Sequence, residues 1–220
     1  MGCGNPASAV GDIVRMTTRR ISLFPLTGAI LFPGMQLPLD IFEPRYRDLV
    51  GDSLARDRMI GMVQPKGSGN NPSLFTVGCL GRIGDVEAMD DGRYNVILEG
   101  LQRFTILKEL DVSTAFRQAE GELWEEDEAA DALSIAERAS LEIESRRFAD
   151  AQGYAVDWGA VGQLDDYSLV NAIAQIAHFD YAAKQALLEA RGLSMRADLI
   201  VQLMQFFGRH DGSDNRVTLQ

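Results

Sequence analysis

A chain of 220 residues has room for one domain, or for one domain with a sizeable second lobe. Its 46% hydrophobic and 24% charged content is that of a soluble globular protein, and no apolar run nears the roughly 20 residues of a membrane span, so no membrane partner is expected. The formal net charge of −11 argues against nucleic acid as a partner, because its phosphates would be repelled overall.

Residues 1–19 carry no apolar period and read as a flexible tail. Gly11, Asp12, Arg15, Arg19 and Arg20 interrupt any signal-peptide core, so a cytoplasmic protein is expected. Pro6 stands where an acylation signal at the N-terminus requires Ser or Thr. The β-branched and aromatic run "RISLFPL" reads as a strand stopped by Pro25, and "QLPLDIF" as a second strand bent at Pro38. In "EPRYRDLVGDSLARD" the period becomes helical: Tyr46, Leu49, Val50 and Leu54 recur three or four apart, with Pro44 in the first turn. "RMIGMVQ" predicts a third strand, and "PKGSGNNPS" a turn-rich loop.

"TVGCLGRIGDVEAM" and "RYNVILEGLQRFTILKEL" flank a tight turn at Asp91-Gly92 and predict a long hairpin. Tyr94, Val96 and Leu98 alternate with Asn95, Ile97 and Glu99, the pattern of a half-buried strand. Gly100 interrupts that alternation and predicts a bulge where the sheet bends. "AFRQAEGELWE" is the last strand, so the β-rich part runs over residues 20–125.

The acidic run "EEDEAAD" opens a helical part, residues 126–209, followed by a short tail at 210–220. A first helix is expected from about Ala129 to Phe148. Leu169, Val170, Ile173, Ile176 and Ala177 trace one apolar face, and Met195, Leu199, Ile200, Leu203, Met204 and Phe207 another. Between them a helix should begin at the capping Asp180 and end at Gly192. Strands first and helices later mean an α+β fold.

Catalytic signatures are incomplete. "GDSL" at Gly51–Leu54 matches the nucleophile block of a family of serine esterases, but their oxyanion block and Asp-x-x-His block are missing, and the letters fall inside a helical period. A serine without a base is a weak nucleophile, so Ser53 reads as a solvated helix residue. No phosphate-binding loop is present, and Gly78, Gly81 and Gly84 miss the dinucleotide spacing and read as glycines of a bent sheet. Cys3, Cys79, His178 and His210 are too scattered for a zinc site, and Cys3 and Cys79 are not expected to form a disulfide. Neither a cofactor nor an enzymatic activity is expected.

What remains is "LFPLTGAILFPGMQLPLDIFEPRY", residues 23–46, too apolar for a solvated loop and too rich in proline for a helix. Leu23-Phe24-Pro25-Leu26, Leu31-Phe32-Pro33-Gly34 and Pro38-Leu39-Asp40-Ile41-Phe42-Glu43-Pro44-Arg45-Tyr46 occur in that order. A second signature follows in Gly81-Arg82-Ile83 and in Gly92-Arg93 through Val96, Leu98, Gly100, Arg103 and Phe104. Together these resemble the N-terminal substrate-binding domain of the Lon (La) ATP-dependent proteases, including stand-alone bacterial proteins of that domain alone. The resemblance runs from about Ile21 to Phe207, with Asp40 where His is frequent.

The resemblance implies a partly closed, PUA-like β lobe followed by a C-terminal helical bundle. It also implies a non-catalytic module, since neither the ATPase nor the Ser-Lys peptidase motifs of Lon occur in these 220 residues. The expected partner is a polypeptide segment or a protein, in the setting of protein quality control. The alternative is a small-molecule or nucleotide-like ligand on the β lobe's concave face. Phe24, Ile41 and Phe42 should anchor the segment in the core, and Glu43 and Arg45 should pair or cap the next helix. Phe32, Pro33, Gly34 and Met35 are the candidate binding surface, as a protruding apolar turn with an adaptable Met; the other reading packs this turn against the sheet.

Overall fold

The computed structural model of the chain describes residues 17–67, 69, 71–125 and 132–210, the last two without their side chains. Strand β1 (Thr18–Pro25) takes in the last two residues of the expected tail, because Thr18 and Arg19 already pair with Glu122 and Gly121. It is followed by β2 (Gln36–Ile41), helix α1 (Pro44–Leu54) and β3 (Met59–Val63). The turn-rich stretch holds a two-stranded ribbon, β4 (Pro65–Lys66) with β5 (Ser73–Leu74). The hairpin β6 (Val77–Ala88) and β7 (Tyr94–Glu109) and the strand β8 (Gln118–Leu123) complete the β part.

The main sheet has the order β2-β7-β6-β3-β1-β8, and β7 also pairs with β8. The circuit β1-β3-β6-β7-β8 therefore closes on itself, while among the described residues β2 remains an edge strand with β7 as its one neighbour. The pairings are antiparallel except for β1 with β3, whose parallel register follows from the β2–α1 crossover between them. Inside the closure the ring of Phe104 fills the centre, packed with Ile21, Leu23, Val63, Leu80 and Ala119. A Cβ on Gly61, Gly78 or Gly121 would stand 3.2 Å or closer to that ring. Three strands thus carry glycine where the filling side chain comes closest.

The expected bulge occurs. Leu80 pairs with Gln102 and Gly81 with Gly100, so Leu101 is the extra residue. A second irregularity lies between Ile83 and Val86 on β6. At the hairpin tip Gly92 takes φ +80° and its N–H donates to the Met89 carbonyl at 2.9 Å, which is why glycine stands there.

Helices α2 (Ile135–Gln152), α3 (Trp158–Val161), α4 (Asp166–Ile176), α5 (Tyr181–Glu189) and α6 (Leu193–His210) follow. α2 starts later and ends later than its sequence pattern suggested. Its start is set by a capping box, Ser134 with Glu137, and its end by Gly153 at φ +71°. The segment 126–131, where the earlier start was expected, lies outside the described residues. Asp180 caps α5 as expected by accepting from the Ala183 N–H at 2.7 Å. α5 stops at Glu189, however, and Gly192 (φ +81°) serves the turn into α6.

One apolar core joins the two parts. Phe24, Leu31, Phe32, Val96 and Leu98 belong to the same buried cluster as Leu141, Leu169, Leu187 and Ile200. Polar groups seal the joint at the C-terminal end of α5. Arg103 of β7 donates to the carbonyls of Leu188 (3.0 Å) and Ala190 (2.5 Å). Arg196 of α6, fully buried, donates to the carbonyls of Leu187 and Ala190, each at 3.1 Å. Cations suit the unsatisfied carbonyls of a helix end.

Candidate functional site

The Leu31–Met35 segment does not protrude. Phe32 is 0% exposed and Pro33 is buried, Met35 is half-buried, and only Gly34 is open to solvent. The expectation of an apolar turn projecting Phe32 and Pro33 into water is therefore corrected: burying a phenyl ring of this size outweighs any gain from displaying it. The turn closes through the Met35 N–H and the Phe32 carbonyl (3.1 Å), with Gly34 at φ +76°. It then joins β7 at the bulge: the Gly34 N–H donates to the Gly100 carbonyl (2.9 Å), and the Gly100 N–H to the Met35 carbonyl (2.8 Å).

Helix α4 holds the other side. Gln175 accepts from the Phe32 N–H (3.1 Å) and donates to the Gln36 carbonyl (2.8 Å). Asn171, buried, donates to the Pro33 carbonyl (3.1 Å) and accepts from Arg196 at 3.0 Å. These two amides were missed in the sequence. Their signal was an Asn and a Gln four apart within the apolar run "LVNAIAQIA", which places both on one helix face. Lys184 donates to the carbonyl of Gln175 at 2.7 Å, and partial burial pulls its pKa below the ordinary lysine value.

The rest of the proline-rich stretch divides. Phe24 and Ile41 are core residues, whereas Phe42, expected beside them, is 61% exposed. Ile41 and Phe42 are adjacent at the end of β2, so their side chains leave on opposite sides and one of them faces water. Arg45 pairs with Glu43 at 2.9 Å, and the Glu43 side chain makes no cap bond to α1. Tyr46 fixes the end of β1: its hydroxyl donates to the Pro25 carbonyl (2.9 Å) and its ring meets Phe24 edge-on at 4.3 Å.

Ser53 lies in the last turn of α1 and is buried, not solvated as the sequence suggested. Its Oγ and the Oδ2 of Asp52 have no hydrogen-bond partner among the described residues. They line a narrow cleft of about 60 Å³ with Arg19, Arg20 and Gln118, which contains no imidazole. Cys79 is a buried thiol whose pKa burial pushes up to about 12, far from a nucleophile's. His178 follows the end of α4 and contacts the Tyr154 hydroxyl at 2.5 Å. Among the described residues no His, Cys, Asp and Glu group is placed to hold a metal ion, and no helix is long and apolar enough to cross a membrane.

The broad concave surface is elsewhere. On the outer face of β2, β7 and β6, Pro38 pairs with Ile97, while Asn95 stands between Asp40 and Glu87. Val96 and Leu98 are buried on the opposite face. With Asp85 these residues line an open groove of about 470 Å³. Asp40 meets Arg93 at 3.3 Å, and Arg93 also holds Asp91 at 2.7 Å, which lowers the Asp91 pKa through hydrogen bonds from the Arg93 backbone and guanidinium.

A partly closed sheet with an appended edge strand, sealed to a helical half through a buried proline turn, defines an α+β domain with open surfaces. Residues 20–205 match the model of the ATP-dependent protease La (LON) substrate-binding domain, and the chain belongs to this family. It is 23% identical over 197 residues to Lon protease of Heliobacterium modesticaldum, covering 87% of this chain and 24% of that protein. It is 27% identical over 197 residues to Lon protease 2 of Myxococcus xanthus, covering 84% and 23%. The chain thus spans about a quarter of the length of these relatives. Its fold is similar to the crystal structure of a Lon N-terminal domain protein from Xanthomonas campestris, with TM-score 0.65 and 21% identity over 84% of this chain and 98% of that one. It is also similar to the N-terminal domain of Mycobacterium avium complex Lon protease, with TM-score 0.62 and 16% identity over 85% and 98%.

Proposed function

We propose that this protein is a non-catalytic binding module that recognises segments of polypeptide. The observation that carries this reading is the open groove beside the edge strand β2, in a chain that belongs to the Lon substrate-binding domain family. An extended chain needs a long, shallow surface with apolar floor and polar rim, not an enclosed cavity. Work in protein quality control in a bacterial cytoplasm is the setting that this role suggests.

A small-molecule ligand is the less favoured reading. The narrower clefts hold about 60 and 210 Å³, less than the roughly 300–1,000 Å³ usual for such sites, and two of adequate volume, the groove (about 470 Å³) and a cleft beside α1 at Pro44, Arg47 and Tyr94 (about 480 Å³), are open rather than enclosing. The test is fluorescence anisotropy with a labelled, permanently unfolded polypeptide and its folded counterpart, without nucleotide. Saturable binding of the unfolded form alone is expected. Binding of neither form, with stabilisation by a metabolite in a thermal-shift panel, would transfer the function to a small ligand.

A further inference from the structure

The groove on β2, β7 and β6 is chemically lopsided. Its floor is apolar where Pro38 lies beside Ile97. Towards Met35 the row Gln36–Glu99–Arg82 closes it, and there the one carboxylate is neutralised by the Arg82 guanidinium at 2.8 Å. Towards the hairpin tip Asp40 and Glu87 flank Asn95, and Asp85 lies in the β6 irregularity between Ile83 and Val86, level with Ile97. Glu87 receives only the Asn95 amide (3.2 Å), and Asp85 makes no hydrogen bond or ion pair among the described residues. Arg93 offsets Asp40 in part, but it is shared with Asp91. Anionic side chains therefore outnumber cationic ones from the middle of this apolar groove to its hairpin-tip end.

The edge itself is poorly suited to accept an added strand. Pro38, in the middle of β2, has no N–H to donate, and the Gln36 carbonyl is already taken by Gln175. An occupant is better held across the face by its side chains than along the edge by its backbone. Apolar side chains of the occupant fit over Pro38 and Ile97, and a cationic one fits among Asp40, Asp85 and Glu87.

We infer that this groove selects extended polypeptide segments in which an apolar residue is followed or preceded by lysine or arginine. The inference rests on the polypeptide-binding reading and adds a sequence preference to it. Charge complementarity identifies the occupant: with a net charge of −11, the protein as a whole also favours cationic segments over anionic ones.

The test uses three labelled twelve-residue peptides with the same apolar centre, flanked by Lys, Gln or Glu, titrated into the full chain at low and high salt. The lysine peptide should bind about tenfold tighter than the glutamine peptide, from two or three exposed charge pairs, and the margin should shrink at high salt. In the variant Asp40→Asn, Asp85→Asn, Glu87→Gln the lysine peptide should lose its margin over the glutamine peptide, with circular dichroism unchanged. Asp85→Asn alone, which breaks no pair, should remove part of the margin and covers the case in which the triple variant does not fold. Equal affinity for all three peptides, or a lysine preference that survives the triple variant, overturns the inference and leaves the polypeptide reading standing. Binding of no peptide and of no unfolded protein removes both.

Discussion

Gly100 and Phe32 are in closer approach than any other residue type at position 100 would permit: a Cβ there would stand 2.1 Å from the Phe32 carbonyl oxygen. The two family signatures, one around Leu31–Gly34 and one around Gly92–Phe104, meet at this point. The opposing atom is a backbone carbonyl that accepts from the Met35 N–H (3.1 Å), and the Phe32 N–H donates to Gln175 (3.1 Å) while the Gly34 N–H donates to Gly100 (2.9 Å), so the turn is held on both sides. Gly100→Ala should therefore cost about 3 kcal/mol or more in a denaturant melt, at the upper end for overpacked sites. A loss below about 1 kcal/mol would mean that the turn can shift away from β7.

Phe32 and Met35 should behave differently although they share one turn. Phe32→Ala removes a ring that is 0% exposed and should cost about 3–5 kcal/mol. Met35→Asp changes a half-buried side chain, and its cost should stay within about 1–2 kcal/mol. Thermal melts of the two single variants check this ordering.

The "GDSL" letters predict a stability effect of unusual sign. Ser53 is buried and its hydroxyl has no partner among the described residues, so Ser53→Ala removes a desolvated polar group without breaking a bond to any of them. Stability should stay level or rise by up to about 1 kcal/mol, and ester hydrolysis by the wild type should not exceed a buffer control. A clear loss of stability would show that Oγ bonds to an internal water, for which the cleft of about 60 Å³ has room.

Much of this fold is legible because short-range chemistry determines it. Strand alternation gave β7, Asp91-Gly92 gave its hairpin, Gly100 its bulge, and Asp180 the start of α5. The start of α2 was readable too, from Ser134-x-x-Glu137, yet the acidic run before it drew the boundary too early. The fate of the proline turn was not legible. Hydropathy is the same for an apolar turn displayed to a partner and for one packed inward, and the deciding groups, Asn171 and Gln175, lie 138 and 139 residues away from their acceptors in the chain. The groove was hidden for a related reason: Pro38, Asp85 and Ile97 become neighbours only through the β2–β7–β6 register.

Cys79 makes the fold sensitive to alkali. Its thiol is pushed up to about 12 from the ordinary 9.0 by burial. The folded state thus keeps a proton that the unfolded state releases, so this contribution is intact below pH 9.0 and is lost as pH rises towards about 12. Across that window the loss approaches about 4 kcal/mol. Urea melts at stepwise pH should show the decline, and Cys79→Ala, though less stable at pH 7, should show a shallower one. A maleimide at pH 8 should label Cys79 only after unfolding.

In the function proposed above, an open sheet face, rather than an enclosed pocket or a catalytic centre, does this protein's work. The most direct measurement is a ¹⁵N NMR titration of the full chain with a permanently unfolded polypeptide. Shifts should concentrate on the outer face of β2, β7 and β6, at Asp40, Asp85, Glu87, Asn95 and Ile97. Saturating shifts confined to the helices, or no shifts at millimolar polypeptide, would contradict this function.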